Sequence, residues 1–137
     1  MASEAMGFIA PNQFESVDTQ LEAGVRLINL DLYKVNEKVL SCHGSCDVGQ
    51  TPLIDIFKDL EAFLRANPGE VVTLIFESYI EASDVELVVQ QAKLTQYLYA
   101  HSAEEPWPTL QELVESDRRL VVFTDSDSGN PSWYHDI

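Results

Sequence analysis

The chain has 137 residues, of which 45% are hydrophobic, and its 8 basic and 23 acidic side chains give a formal net charge of −15. The length suits one domain, and the hydrophobic fraction is typical of a folded globular protein rather than a disordered one. Nucleic-acid binding depends on lysine and arginine side chains that displace counterions from phosphates, so this composition excludes a nucleic-acid partner. It also argues against a permanently basic lipid-binding surface and leaves a transient membrane contact at most.

Four short apolar segments have the length and composition of buried strands. They cover residues 25–32, 39–42, 70–77 and 118–124, and the third is the strongest of the four. The second ends at His43-Gly44, and the last is followed by a predicted loop over 125–131.

A helical pattern follows the second strand. Thr51-Pro52 predicts an N-cap with a proline at the first helical position, and Asn67-Pro68-Gly69 predicts the helix end. Between these signals, apolar residues recur at helical spacing, namely Leu53, Ile56, Phe57, Leu60, Phe63 and Leu64.

Two capping-box patterns predict further helix starts, because a Ser or Thr and a Glu three residues later can satisfy each other's backbone donors. Ser83 with Glu86 predicts a helix over 84–92, which either continues or is followed by a short helix over 94–100. Thr109 with Glu112 predicts a short helix that ends near Asp117.

Apolar strands joined by helical crossovers predict an α/β fold with a parallel sheet covered on both faces. About four such strands, with their crossover helices, form a partial TIM-type (β/α) barrel, since a complete one takes about 250 residues. We therefore expect residues 1–137 to constitute one domain that is roughly half a barrel. Unpaired strand edges and uncovered apolar faces in such a fold also predict self-association.

Polar side chains fall at the ends of all four predicted strands. These are Asn29 and Asp31 on one face of the first strand, His43 after the second, Glu77 after the third and Asp125 after the fourth. Loops at the carboxyl ends of parallel strands carry function, so the set predicts a general acid with a site for a hard cation. Each carboxylate alone also fits a structural role at a strand end, in an ion pair or in a turn.

Cys42 and Cys46 flank the turn that contains His43. Their spacing fits either a short disulfide or two reduced thiols, and two cysteines do not decide between an oxidising and a reducing compartment. The first six residues lack the basic and apolar regions of a secretory signal peptide, which predicts a cytosolic chain or a fragment of a longer one. The sequence leaves the location of the protein open.

An ordered series of motifs runs through nearly the whole chain. It comprises Pro11-Asn-Gln, Gln20-Leu-Glu-Ala-Gly-Val-Arg, Leu30-Asp-Leu-Tyr, Cys42-His-Gly, Asn67-Pro-Gly-Glu-Val-Val-Thr-Leu-Ile-Phe-Glu, Trp107-Pro-Thr-Leu and Arg119-Leu-Val-Val-Phe-Thr-Asp. The series resembles the X domain of phosphatidylinositol-specific phospholipase C and related phosphodiesterases. It is most similar to the single-domain group of bacteria, fungi and plants.

The resemblance implies a (β/α) barrel that cleaves a phosphodiester with two histidines acting as general base and general acid. His43 matches the second histidine, which protonates the leaving diacylglycerol oxygen. The first histidine of the family lies just upstream of the segment that matches residues 1–13 here, so the resemblance implies impaired activity in this chain.

The resemblance also implies catalytic and metal-binding carboxylates. Asp31 and Glu77 match acidic residues of the family's site, and Asn29, Asp31 and Glu77 match the calcium ligands, with Asn29 where a Glu would stand. Calcium-independent members have an arginine at the position of Tyr33. A calcium cofactor is therefore one of two alternatives.

Two classes of function follow from the resemblance. The first is a phosphoric diester hydrolase or lyase that acts on phosphatidylinositol-like lipids or inositol phosphodiesters, with His43, Asp31 and Glu77 as its catalytic residues. The second is an inactive module that binds phosphorylated inositol or calcium, and a non-functional gene fragment is a third possibility. A disulfide between Cys42 and Cys46 would predict an extracellular full-length relative.

Overall fold

A computed structural model describes residues 3–9, 11–102, 104–126 and 131–137. Its strands are β1 (Leu27–Val35), β2 (Lys38–His43), β3 (Ser45–Pro52), β4 (Val72–Ser78), β5 (Leu120–Thr124) and β6 (Tyr134–Asp136). Its helices are α1 (Val17–Glu22), α2 (Leu53–Ala66), α3 (Ala82–Gln91) and α4 (Leu110–Glu115), with two short 3-10 helices, Glu4–Met6 and Thr95–Tyr97.

The six strands form one sheet in the order β3-β2-β1-β4-β5-β6. β1, β4, β5 and β6 are parallel to one another, and helices lie between β1 and β4 and between β4 and β5, which confirms the α/β fold class. Within the described residues β3 and β6 lie at opposite edges and do not pair with each other, so the sheet is an open, partial barrel.

The strand predicted over 39–42 is real, but its expected parallel orientation is wrong. β2 runs antiparallel to β1, with Val35 opposite Lys38. Only Asn36 and Glu37 connect the two strands, with φ of 48° and 63°. A two-residue turn of this kind joins antiparallel neighbours, whereas a parallel pair needs a crossover of a dozen or more residues.

Two strands were not predicted. Thr51 and Pro52, expected to start a helix, are the last residues of β3, and α2 begins at Leu53 without a side-chain N-cap. The proline is compatible with this position because β3 is an edge strand, where a missing N–H breaks no ladder. The second addition is β6, and residues 127–130 of the predicted loop before it lie outside the described residues.

The helix predictions had mixed outcomes. Thr109 and Glu112 form the predicted capping box at the start of α4. The capping box predicted for Ser83 is wrong, because α3 begins at Ala82. The helix predicted over 94–100 is a single 3-10 turn, since Leu98 instead pairs with Leu120 at the start of β5. No helix of the described segments has the length and apolar character needed to cross a membrane.

The hydrophobic core lies between one face of the sheet and the helices. Alternate residues of the central strands point into it and are fully or almost fully buried, as are those of α2 that meet them; they are Ile28, Leu30, Leu32, Leu74, Phe76, Phe57, Leu60 and Leu64. Residues between them on β1 and β4 point to the opposite face, where Leu27 is 54% exposed. Self-association through this open face stays a prediction.

Candidate active site

The candidate site lies on the open face of the sheet, at the level of Asp31. Asp31 on β1 is the register partner of Glu77 on the parallel strand β4. On its other side Asp31 faces Cys42 of the antiparallel strand β2. The strand register therefore places Asp31 and Glu77 side by side, with His43, the residue after Cys42, next to them.

That next residue is His43, whose Nδ1 lies 3.4 Å from Oδ2 of Asp31. The Asp31 side chain is 14% exposed and the His43 side chain 45% exposed, so the carboxylate is largely enclosed while the imidazole reaches solvent. The sequence correctly predicts these two residues as neighbours. They meet because the β1–β2 hairpin folds back, and not because two parallel carboxyl ends share an edge.

The backbone changes course at His43. The β2–β3 pairing runs from Leu40 opposite Pro52 to Cys42 opposite Gln50, and then jumps to His43 opposite Ser45. Gly44 has φ of 72°, a left-handed conformation that favours glycine. Of the two cysteine states compatible with the sequence, the structure has the disulfide, which joins Cys42 to Cys46 across this turn.

Two tyrosines stack beside the carboxylates, and the sequence analysis did not predict this feature. The rings of Tyr33 and Tyr79 are 4.7 Å apart, centroid to centroid, at an interplanar angle of 20°. The Tyr79 hydroxyl donates a short hydrogen bond to Glu77, which raises the pKa of Tyr79. Tyr33 and Tyr79 each lie two residues beyond a site carboxylate, so period-two alternation places each ring on the face of its carboxylate, while their contact depends on the register of β1 with β4.

Asp125 follows β5, as predicted, but its side chain contacts the backbone. Its Oδ1 accepts a 3.0 Å hydrogen bond from the Ser78 N–H, and its own N–H donates to the Phe76 carbonyl. These two bonds fasten the ends of β4 and β5 together. Asp125 therefore has a structural role between two strands, and the turn expected after it includes residues outside the described ones.

The three residues predicted as calcium ligands share the open face. Asn29 lies two residues before Asp31 on β1 and pairs with Ile75, while Asp31 pairs with Glu77. Their amide and carboxylate oxygens are donors of the kind that calcium takes. Among the described residues, no group of three His, Cys, Asp or Glu side chains could hold a metal ion. Calcium binding therefore stays a prediction that depends on the Asn29 amide oxygen.

The other two histidines lie in an aromatic cluster by β5 and β6, on the far side of β4 from Asp31. His101 stacks on Trp107 with ring centroids 3.9 Å apart, and Trp107 also contacts Phe123 and His135. Burial lowers the pKa of His135, whose Nε2 lies 3.3 Å from the Tyr99 carbonyl oxygen. Packing thus accounts for both histidines.

The PI-PLC X family model matches residues 5–134. The chain belongs to the PI-PLC X family. The match spans the hairpin that holds His43 and all four parallel strands up to the first residue of β6.

Curated relatives and solved structures agree with this assignment. A PI-PLC X domain-containing protein of Arabidopsis thaliana is 36% identical over 123 residues, covering 82% of this chain and 29% of that protein. An uncharacterized secreted protein of Arthroderma benhamiae is 32% identical over 131 residues, covering 90% of this chain and 30% of that protein. The chain thus spans less than a third of the length of these two relatives.

The phosphatidylinositol-specific phospholipase C of Listeria monocytogenes has the same fold. It superposes with a TM-score of 0.59 at 21% identity, over 80% of this chain and 40% of that one. The open sheet described above therefore corresponds to part of a phospholipase C barrel.

Proposed function

We propose that this chain carries the general-acid half of a phosphodiester-cleaving site, with His43 as the proton donor. The observation that carries the proposal is the 3.4 Å approach of His43 Nδ1 to Asp31 Oδ2 on the open face of a PI-PLC X sheet. A positioned imidazole that transfers a proton in the transition state typically contributes about 10²–10⁴-fold to the rate.

The geometry assigns different tasks to the two imidazole nitrogens. Nδ1 faces the Asp31 carboxylate, which fixes the orientation of the ring, and Nε2 is left to meet a substrate. In the proposed reaction, a substrate hydroxyl attacks phosphorus, the bond from phosphorus to the leaving oxygen breaks, and that oxygen takes the proton from Nε2. Asp31 thus acts through His43, and Glu77 lines the neighbouring position on β4.

The attacking hydroxyl must also lose a proton to a base. Among the described residues His43 is the single histidine at this rim, because His101 and His135 pack in the aromatic cluster. We therefore propose that His43 alone supports slow turnover.

We propose a phosphatidylinositol-like lipid or an inositol phosphodiester as the substrate. The phosphatidylinositol-specific enzyme of Listeria with the same fold supports this substrate class. The net charge of −15 opposes prolonged contact with anionic lipid, so membrane contact would be transient. The Cys42–Cys46 disulfide, together with a relative described as secreted, supports an extracellular location for the full-length protein.

We propose Asn29, Asp31 and Glu77 as the residues that would supply oxygen ligands to a calcium ion. A divalent cation there would help to neutralise charge on the phosphoryl oxygens. The proton transfer from His43 is independent of this assignment.

The direct test is turnover of a chromogenic inositol phosphodiester by the chain and two variants. His43→Ala should lower the measured activity by about 10²–10⁴-fold, whereas the matched variant His101→Ala should retain it. Activity that survives His43→Ala unchanged would refute the role of this residue, and so would the absence of any activity in the unsubstituted chain.

The absence of a second histidine at the rim favours one alternative, a module that binds phosphorylated inositol without cleaving it. Calorimetry with myo-inositol 1-phosphate separates the two functions. Saturable binding that His43→Ala weakens, without any phosphodiester turnover, would establish the alternative.

A further inference from the structure

The turn that carries His43 is weakly held by the sheet. The regular β2–β3 pairing stops at Cys42, and residues 46–49 are left out of the register before His43 meets Ser45. The His43 side chain is 45% exposed, so core packing does little to restrain it. Regular hydrogen bonds between strands and burial usually fix a side chain in a sheet. His43, the proposed general acid, has less of both.

The Cys42–Cys46 disulfide bridges this gap in the ladder. Cys42 is fully buried and is the register partner of Asp31, so its position relative to the Asp31 backbone is set by the sheet. Cys46 lies after the turn and is half-buried. The bond closes a loop in which only His43, Gly44 and Ser45 stand between the two cysteines, and it ties that loop to the strand position facing Asp31.

Tyr33 provides a second connection from β1 to the same turn. Its hydroxyl donates a 3.4 Å hydrogen bond to the carbonyl oxygen of Gly44, and its ring is held by the stack on Tyr79. Tyr33 lies two residues beyond Asp31 on the same strand face. The disulfide starts at Cys42, which pairs with Asp31, and the hydrogen bond starts at Tyr33, two residues beyond Asp31. Both connections therefore hold the His43 turn close to Asp31.

We infer that Cys42, Cys46 and Tyr33 are positioning residues for His43, and that reduction of the disulfide releases the imidazole from Asp31. This inference rests on the proposed function of His43. A dithiol would reduce the bond by attack on the half-buried Cys46 sulfur, after which both cysteines carry thiols and the dithiol closes into its own disulfide. The more active form of the site is therefore the oxidised one, and a reducing environment lowers its activity.

The size of the effect follows from how sharply proton transfer depends on geometry. A misplacement of about 1 Å can cost roughly 100-fold in rate. We therefore expect reduction, or Cys42→Ala combined with Cys46→Ala, to lower turnover by about 10- to 100-fold. Tyr33→Phe keeps the stack on Tyr79 but removes the donor to Gly44, and we expect a smaller loss from it.

The decisive experiment reads the position of the His43 ring without requiring turnover. Ring 1H–13C correlations are recorded for the chain and for Asp31→Asn, each oxidised and then treated with dithiothreitol. In the oxidised protein Asp31→Asn should shift the His43 signals, and in the reduced protein it should not. The His101 signals serve as an internal control for general unfolding, and reoxidation should restore the original spectrum.

Two further samples separate the possible failures. The Cys42→Ala/Cys46→Ala variant should resemble the reduced chain and should not respond to dithiothreitol. His43 signals that respond to Asp31→Asn equally before and after reduction would overturn the positioning role, whatever the activity. Signals that respond as expected, in a chain whose activity is unaffected by His43→Ala, would leave the positioning intact and refute the proposed function instead.

Discussion

The buried guanidinium of Arg119 donates a 3.0 Å hydrogen bond from Nη2 to the carbonyl oxygen of Leu64, at the end of α2. Nη1 donates to the carbonyls of Asn67 and Glu70, and the group also lies over the ring of Tyr97. One side chain therefore satisfies carbonyls at the end of α2 and in the loop that leads into β4. This arrangement fixes the strand that carries Glu77.

Arg119→Ala should lower the free energy of unfolding by about 3 kcal/mol, because it leaves buried carbonyl groups without their charged donor. The matched variant is Arg118→Ala, since Arg118 is an exposed neighbour whose side chain donates to the Gln96 carbonyl. It should cost about 0.5 kcal/mol or less. Urea denaturation measures both values, and equal losses would contradict the role given to Arg119.

The capping box at the start of α4 offers a test of helix capping. The Glu112 N–H donates to the Thr109 hydroxyl at 3.2 Å, so Thr109→Ala should cost about 1 kcal/mol. Ser83→Ala is the control, because the sequence predicts the same motif there and the structure has no side-chain cap. Thermal unfolding should show a loss for Thr109→Ala alone, and a similar loss for Ser83→Ala would contradict the observed start of α3.

Glu112 makes part of this stability dependent on pH. The hydrogen bond from the Thr109 backbone N–H lowers the pKa of Glu112 below its ordinary value of 4.5. A carboxyl group whose pKa is lower in the folded state stabilises the fold above the unfolded pKa. The contribution should therefore be present above pH 4.5 and disappear as the pH falls below that value, and Glu112→Gln should flatten the profile in this range.

His135 should make the fold less stable in mild acid. Burial lowers its pKa from the ordinary value of 6.5, so the unfolded chain takes up the proton more readily than the folded one. The free energy of unfolding should decrease as the pH falls from 6.5 through the lower folded-state value. NMR titration of the His135 ring should give a midpoint below 6.5, and a midpoint at or above 6.5 would contradict its burial.

Calcium binding can be measured independently of turnover. Titration of the chain with calcium chloride in a calorimeter should give saturable heat that is lost when Asp31→Asn and Glu77→Gln are combined. Asp55→Asn is a suitable control, because Asp55 lies on α2, on the helical side of the sheet. Heat that persists in the double variant would place the ion elsewhere, and the absence of heat in the unsubstituted chain would refute the ligand set.

Short apolar runs predicted the parallel strands β1, β4 and β5, and apolar residues at helical spacing predicted α2, which precedes β4. The hairpin was harder to predict. Asn36 and Glu37 adopt left-handed conformations without a glycine, so the usual turn signal was missing. β3 contains Gly49 and Pro52, which are typical of loops and masked the strand in the sequence. β3 can accommodate them because it is an edge strand that pairs with β2 alone.

The sequence predicted which residues lie in the candidate site, but it did not predict how the strands bring them together. His43 and Asp31 were predicted as neighbours from an incorrect parallel topology, and the antiparallel hairpin brings them together by another route. Asp125 was included because it ends a strand, yet its bond to the Ser78 backbone is invisible in the sequence. The Tyr33–Tyr79 stack depends on the register of β1 with β4, which a pattern within one strand does not contain.

The central claim is that His43 and Asp31 act as one unit in phosphodiester cleavage. A double-mutant cycle on the turnover of an inositol phosphodiester by the oxidised chain tests it most directly, with Asp31→Asn, His43→Ala and the combined variant. In EDTA, where Asp31 holds no calcium ion and acts only through His43, the combined variant should be no slower than His43→Ala alone. Losses that multiply, so that Asp31→Asn slows the His43→Ala variant as much as it slows the unsubstituted chain, would contradict the account.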